Sequence, residues 1–402
     1  MKQQTHRSNR RVVTTMRWLA FGASLLLISE TGRGATIDEA TLFSRSLASH
    51  GDVARLQRAL AKARRGESVT IGVIGGSITQ GAAASQPEKR YGNLVAEWWK
   101  RSFPKAKVEF VNAGIGATGS DYGALRAQRD LLSHRPDLVI VEYAVNDPDT
   151  ELAAETLEGL VRQILKQPNE PAALLLFMMN QSGGNAQNSH SRIGRHYHLP
   201  MISMRDALWP EIEQGRMKWS DVEADAVHPN DRGHDYCARF VIHLLEEVSK
   251  QAAPQEISPL PSPLISDLFE HVALMEADAL QPSKNVGWVL EAKSSSGKCW
   301  KAEQPGNTIE FEVIGKALLV MDWHLRGPMG QARVQVDDLP PVVREGWFDQ
   351  TWGGYRMTSL LARDLKPGKH RVKLELISEK NPQSTGHEFQ LLGLGLAGVE
   401  VR

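Results

Sequence analysis

Val69-Thr70-Ile71-Gly72-Val73-Ile74-Gly75-Gly76-Ser77-Ile78-Thr79 decides how this chain is read. The first six residues are a short apolar run rich in β-branched side chains, the pattern of a buried strand. The run stops at two glycines and a serine. Two later runs end in the same manner. Residues 108–111 lead into Asn112-Ala113-Gly114-Ile115-Gly116-Ala117-Thr118-Gly119, and residues 138–141 lead into Tyr143-Ala144-Val145-Asn146-Asp147. A fourth polar block, Asp225-Ala226-Val227-His228-Pro229, follows much further along.

Helical spacing fills the intervals. Residues 52–65 alternate apolar and basic positions, and Leu94, Val95, Trp98 and Trp99 recur on one face of residues 91–103. Residues 125–133 and 156–166 read as further helices, residues 172–178 and 201–203 as further strands, and residues 236–248 as a closing helix. Strands alternating with helices predict a parallel sheet covered on both faces, here over residues 50–250. The texture then changes. Pro254, Pro259, Pro261 and Pro263 mark a linker, assigned to residues 251–280. Beyond it, residues 308–313, 333–336 and 371–376 alternate with period two, and Pro367-Gly368 supplies a turn. Short alternating strands without helices predict a β-sandwich over residues 281–402.

Composition excludes several classes. Lys plus Arg equals Asp plus Glu at 47 each, and no basic stripe is present, so nucleic acid is not the expected partner. Residues 1–17 carry Lys2, Arg7, Arg10, Arg11 and Arg17 and no acid; an apolar run from Trp18 to Ile28 and small residues follow. That pattern predicts a signal peptide over residues 1–35 and a periplasmic or secreted protein. The apolar run is shorter than the about 20 residues that span a bilayer, so no stable membrane insertion is expected after its removal. Cys237 and Cys299 are the only cysteines; Cys237 lies on an apolar helix face, where a thiol commonly packs. No Cys/His cluster has zinc spacing, and no metal or other cofactor is expected.

An open parallel sheet binds ligands in the crevice beyond the carboxyl ends of its strands. Ser77, the glycine-rich loop and Asn146 each follow a strand and therefore share that edge, and the loop carrying Asp225 and His228 can fold back over it. The chemistry needs each type. A Ser hydroxyl becomes a nucleophile once an imidazole takes its proton, and His228 does so when Asp225, three residues earlier, holds the far ring nitrogen. Asp221 lies too far back for that curl. An attacked carbonyl oxygen becomes an anion and needs fixed donors. The Ser77 N–H, an N–H at Gly116 or Ala117 and the Asn146 amide are the candidates.

Two other readings of Gly75-Gly76-Ser77 fail. A phosphate-binding loop requires a Lys before its Ser or Thr, which is missing here. The nucleophile elbow of the α/β-hydrolases needs a Gly where Thr79 stands.

Taken together, the four blocks resemble the conserved blocks of the SGNH hydrolases, also called GDSL esterases. Gly75-Gly76-Ser77-Ile78-Thr79 matches the nucleophile block, Val145-Asn146-Asp147 the Asn block, and Asp225-Ala226-Val227-His228-Pro229-Asn230 the final block. The resemblance covers roughly residues 67–248. It implies a three-layer, flavodoxin-like α/β domain, followed here by a jelly-roll-like sandwich, and an esterase with Ser77, His228 and Asp225 as catalytic residues. The first block reads Gly-Gly-Ser where Gly-Asp-Ser is usual, which leaves the nucleophile in place. In the second block the donor glycine falls on Ala117. Alanine serves if the backbone there does not require a positive φ; if it does, Gly116 is the alternative donor.

The sandwich is rich in aromatic rings: Trp288, Trp300, Trp323, Trp347, Trp352 and Tyr355. Such rings either fill a sandwich core or stack on sugars. Trp347, Trp352 and Tyr355 fall in a segment that reads as a loop, so they are the candidate substrate contacts. An exported esterase with an accessory sandwich is similar to bacterial carbohydrate O-acetyl esterases. The expectation is removal of small acyl groups from a polysaccharide. The alternatives are a lipid or thioester acylhydrolase, an acyl transferase on the same scaffold, or a catalytically inert glycan-binding protein.

Overall fold

Residues 37–251, 256–293 and 297–399 are described by a computed structural model. The segment read as an export signal lies outside them. After α1 (Glu39–Ser46), β1 (Leu47–Ser49) and α2 (Ala54–Arg64), the first of the decisive runs forms β2 (Val69–Gly75). The chain continues through α3 (Ser77–Gln80), α4 (Tyr91–Ser102), β3 (Val108–Gly114), α5 (Ser120–Asp130) and β4 (Leu138–Glu142). Then follow α6 (Glu151–Leu165), β5 (Ala172–Phe177), α7 (Gln187–His196), β6 (Met201–Ser203), α8 (Met204–Glu213) and α9 (Asp231–Ser249). The sheet order is β1-β6-β5-β4-β2-β3, and β2 to β6 are parallel as expected. Every residue of β2, β4 and β5 is buried, which is why these strands read as continuous apolar runs rather than alternating ones. The antiparallel edge strand β1 is an addition; three residues are too few to show a period.

Three helix starts depend on capping groups rather than on the apolar stripe. Thr150 caps α6 through its hydroxyl, so the helix begins at Glu151, well before the stripe does. Asn230 takes the N–H groups of Arg232 and Gly233 at the head of α9. The first N–H of α5, at Ser120, donates to Asp147 Oδ1 at 2.8 Å, a cap from a distant loop.

The second half forms two antiparallel sheets. In one, β7 (Val272–Glu276), β9 (Val289–Lys293), β10 (Gly297–Ala302), β12 (Ala317–His324), β15 (Tyr355–Ala362) and β17 (Phe389–Ala397) pair in the order β15-β12-β17-β10-β9, with β7 also on β17. In the other, β8 (Pro282–Val286), β11 (Thr308–Ile314), β13 (Gln331–Val336), β14 (Val342–Glu345) and β16 (Lys369–Leu376) pair in the order β14-β13-β16-β11-β8. A sandwich strand, β7, thus arises within the stretch read as linker.

The sandwich is packed onto the α/β unit. One face of the parallel sheet builds its core with α2, α4, α8 and α9. The core on the other face runs through α5 and α6 into Leu319, Met321 and Leu392 of the sandwich. Gly395 lets Leu125 approach the strand backbone; a Cβ there would strike the Leu125 side chain. The proline-rich segment is strapped down as well. The Glu158 carboxylate accepts from the N–H groups of Leu264, Ile265 and Ser266, at 2.5, 2.8 and 3.1 Å, and from the Tyr197 hydroxyl. Hydrogen bonds to a charged group are worth roughly 1.5–3 kcal/mol each, so this joint is held by more than apolar contact.

Candidate active site

Strands β4, β2 and β3 are neighbours, and their carboxyl ends bring Asn146, Ser77 and the 114–119 loop together. Ser77 is the first residue of the single turn α3 and stays partly exposed between buried neighbours. His228 Nε2 lies 2.8 Å from Ser77 Oγ, and His228 Nδ1 lies 2.7 Å from Asp225 Oδ2. The other Asp225 oxygen accepts the N–H groups of Val227 and His228, both at 2.8 Å. One carboxylate therefore shapes the turn and holds the ring that the turn presents. Burial pushes the Asp225 carboxyl up, but the hydrogen bonds from His228 and Val227 outweigh it and hold the group below the usual carboxylate range. Asp221 instead caps the N–H of Lys218. An imidazole held on one nitrogen and bonded through the other to a hydroxyl can take up the hydroxyl proton.

The Gly116 alternative is corrected by the geometry. Its N–H donates to Gln80 Oε1 at 3.1 Å and is spent. Ala117 does adopt the left-handed conformation, with φ at 55°, the condition expected to disfavour alanine there. Among the described residues no acceptor takes the N–H of Ser77 or of Ala117. Asn146 lies over Gly76, where an added Cβ would collide with its amide oxygen, so the second glycine of the nucleophile block is a close-approach requirement. Asp147 braces the same loop, accepting from Ser120 N–H and meeting His190 Nε2 at 3.0 Å.

Beside these donors opens a cleft of about 600 Å³ between the two halves of the molecule, lined by Ala117, Asp121, Asn146, Leu152, Trp352 and Arg356 among others. Trp352 is 59% exposed. It packs against Phe348 and Tyr355 with ring centroids at 5.2 and 5.6 Å, and Tyr355 also lines the cleft. Trp347 departs from expectation. It is buried, because a bridge to Leu325 and a hydrogen bond from its N–H to Glu345 turn it inward. Asp121 and Arg356 were missed, since Asp121 opens a helix and Arg356 sits on a strand without clear alternation. Burial and the charge of Asp147 push the Asp121 carboxyl up to about 7.

His234 ties α9 to the loop that follows Ser77: Nδ1 accepts from Tyr91 N–H and Nε2 meets the Ala82 carbonyl. Cys237 and Cys299 are buried in separate clusters, with no disulfide between them. Among the described residues no group of His, Cys, Asp or Glu is arranged to hold a metal ion, and no helix is long and apolar enough to cross a membrane.

The model of the GDSL-like Lipase/Acylhydrolase family matches residues 73–236. A two-domain esterase, CEX, active on acetylated mannans, is 32% identical with a TM-score of 0.82, over 90% of this chain and 99% of that one. The same esterase co-crystallised with mannopentaose superposes with the same identity, coverage and TM-score. No curated protein matches the chain.

Proposed function

The chain belongs to the GDSL-like lipase/acylhydrolase family and is a carboxylic ester hydrolase; from that premise we propose that it removes acetyl groups from an exported or extracellular polysaccharide through an acetyl-serine intermediate on Ser77. The observation that carries this is the continuous hydrogen-bonded path from Ser77 Oγ through His228 to Asp225.

In the first half-reaction Ser77 Oγ attacks the acetyl carbonyl carbon while His228 Nε2 takes the hydroxyl proton. The carbonyl oxygen becomes an anion that the N–H groups of Ser77 and Ala117 and the Asn146 amide stabilise. The tetrahedral intermediate collapses, the C–O bond to the sugar breaks, and the sugar oxygen receives the proton from His228. A water then gives a proton to His228 and its oxygen attacks the acetyl carbon. Ser77 leaves, takes the proton back, and acetate departs. Asp225, held in its ionised form, keeps the ring oriented and offsets the imidazolium charge.

The substrate class rests on likeness to the mannan-active esterase over nearly the whole of both chains, and on the exposed Trp352 ring beside the donors. The basic and apolar start of the chain supports export. Release of acetate from acetylated mannan or xylan by the purified protein tests the substrate. Turnover of nitrophenyl esters that rises with acyl length would favour a lipid esterase instead. A fluorophosphonate adduct mapped to Ser77 tests the nucleophile, and binding of glycan without turnover, unaltered by Ser77→Ala, would support an inert binding protein. Replacing His228 by Ala removes the base that takes the Ser77 proton, and turnover that survived the change would point to another base.

A further inference from the structure

Glu142 ends β4 directly beside Gly75 of the nucleophile strand, and its side chain is fully buried. Its Oε2 is hydrogen-bonded to Thr79 Oγ1 at 3.1 Å, and Thr79 Oγ1 lies 2.8 Å from the Tyr91 hydroxyl. The other oxygen, Oε1, is buried with no partner. Thr79 is two residues beyond Ser77 within α3, so whatever holds Thr79 holds the turn that presents the nucleophile.

Among the described residues no cation is hydrogen-bonded to this carboxyl; the buried Arg126 of α5 directs its guanidinium to the Gly75 carbonyl and the Tyr143 hydroxyl instead. Tyr91 faces it from α4 and Cys237 from α9, while Tyr143 and Asp147 follow it in its own loop. His234, behind Tyr91, uses Nδ1 to accept an N–H and is therefore neutral. One hydroxyl cannot replace the hydration shell of a carboxylate, and an acid in such a place keeps its proton.

We propose that neutral Glu142 is a positioning residue for the nucleophile: it anchors Thr79, and with it the turn bearing Ser77, whereas a charge on it, which the Thr79 hydroxyl alone cannot solvate, opens that turn to water. This rests on the reading of Ser77 as the nucleophile. Burial, opposed by the Thr79 hydrogen bond and reinforced by the charge of Asp147, pushes the carboxyl up to about 8. The folded-state value thus lies above the about 4.3 of an unfolded chain. Stability from this site is full below the unfolded value and is lost as pH rises through about 8. Glu142 touches no substrate, so kcat falls on the alkaline side while KM stays. A second buried acid, Glu223, is pushed up to about 9 by burial and by Asp225, and serves as the control.

The experiment measures kcat and KM for a short nitrophenyl ester, and melting temperature, from about pH 6 to 10 in wild type, Glu142→Gln and Glu223→Gln. With each kcat profile scaled to its own maximum, Glu142→Gln moves the alkaline fall upward by about one pH unit or more, and flattens the decline in melting temperature. Thr79→Val, a route that survives if the Gln variant does not fold, lowers kcat about tenfold or more with KM little changed, and Thr79→Ser restores it. An alkaline fall unmoved in Glu142→Gln, or moved only in Glu223→Gln, overturns the inference. So does a Thr79→Val protein in which KM changes with kcat. Fluorophosphonate labelling separates the two claims. Labelling of Ser77 with an unmoved alkaline fall sinks the Glu142 role alone, whereas wild type that is never labelled at Ser77 sinks the hydrolase reading with it.

Discussion

The two walls of the cleft are built by different physics. The α/β wall is polar and fastened at short range: Ser77, Ala117 and Asn146 stand at strand ends, and His228 is held by a carboxylate three residues away. The sandwich wall is a loop and the start of β15, whose rings, Phe348, Trp352 and Tyr355, hold one another by edge and tilted contacts. The first wall rests on two fully packed strand-and-helix faces, the second on one strand, β15, and the loop before it. Bond-making groups need placement within tenths of an ångström, which strands provide. A surface that accepts a sugar ring needs mainly area and exposure.

The comparison makes ranked predictions. Removing the nucleophile should act on every substrate alike: Ser77→Ala lowers kcat by about 10⁴-fold or more for both nitrophenyl acetate and acetylated glycan, measured under substrate saturation. A loss confined to the glycan would place Ser77 on the wrong wall. Asn146→Ala should cost about 10²–10³ in kcat on both substrates, as expected of one oxyanion donor. Trp352→Ala should split them. Its KM for acetylated mannan rises about tenfold, within the range of losing one ring stack, while nitrophenyl acetate turnover changes less than about twofold. Equal loss on both substrates would mean that the aromatic loop supports the α/β wall and not the sugar.

The smallest effect sharpens the polar wall itself. Ala117→Gly keeps the N–H and removes the strain of a left-handed alanine, worth about 1–2 kcal/mol, against a backbone entropy cost of about 0.5–1 kcal/mol. A net gain of about 1 kcal/mol or less in denaturant unfolding, with turnover within a few-fold of wild type, is the expected result. A large fall in kcat would show that the alanine methyl shapes the site.

Much of the α/β half was legible because its signals are local. A run such as Val69–Ile74 names a strand, an Asp three residues before a His names the partner, and the order of strands and helices names the edge where they meet. Where local signal ran out, the reading erred. The starts of α5 and α6 depend on caps from Asp147 and Thr150, which no apolar period shows. The Gly116 option was removed by Gln80, whose side chain reaches across to take that N–H. Trp347 and Trp352 look alike in sequence, yet a bridge to Leu325 buries one and leaves the other in the cleft.

Sequence alone named the candidate reacting groups, since a hydroxyl at a strand end and an imidazole with a carboxylate three residues before it leave little choice of partner once chain order is known. Tertiary structure decided what stands opposite them. The sandwich meets the α/β unit through Leu125 against Gly395 and through Glu158 gripping the proline-rich strap, contacts between residues more than a hundred positions apart. Burial and charge at a given position depend on what packs there from elsewhere, and one-dimensional periodicity carries no record of that.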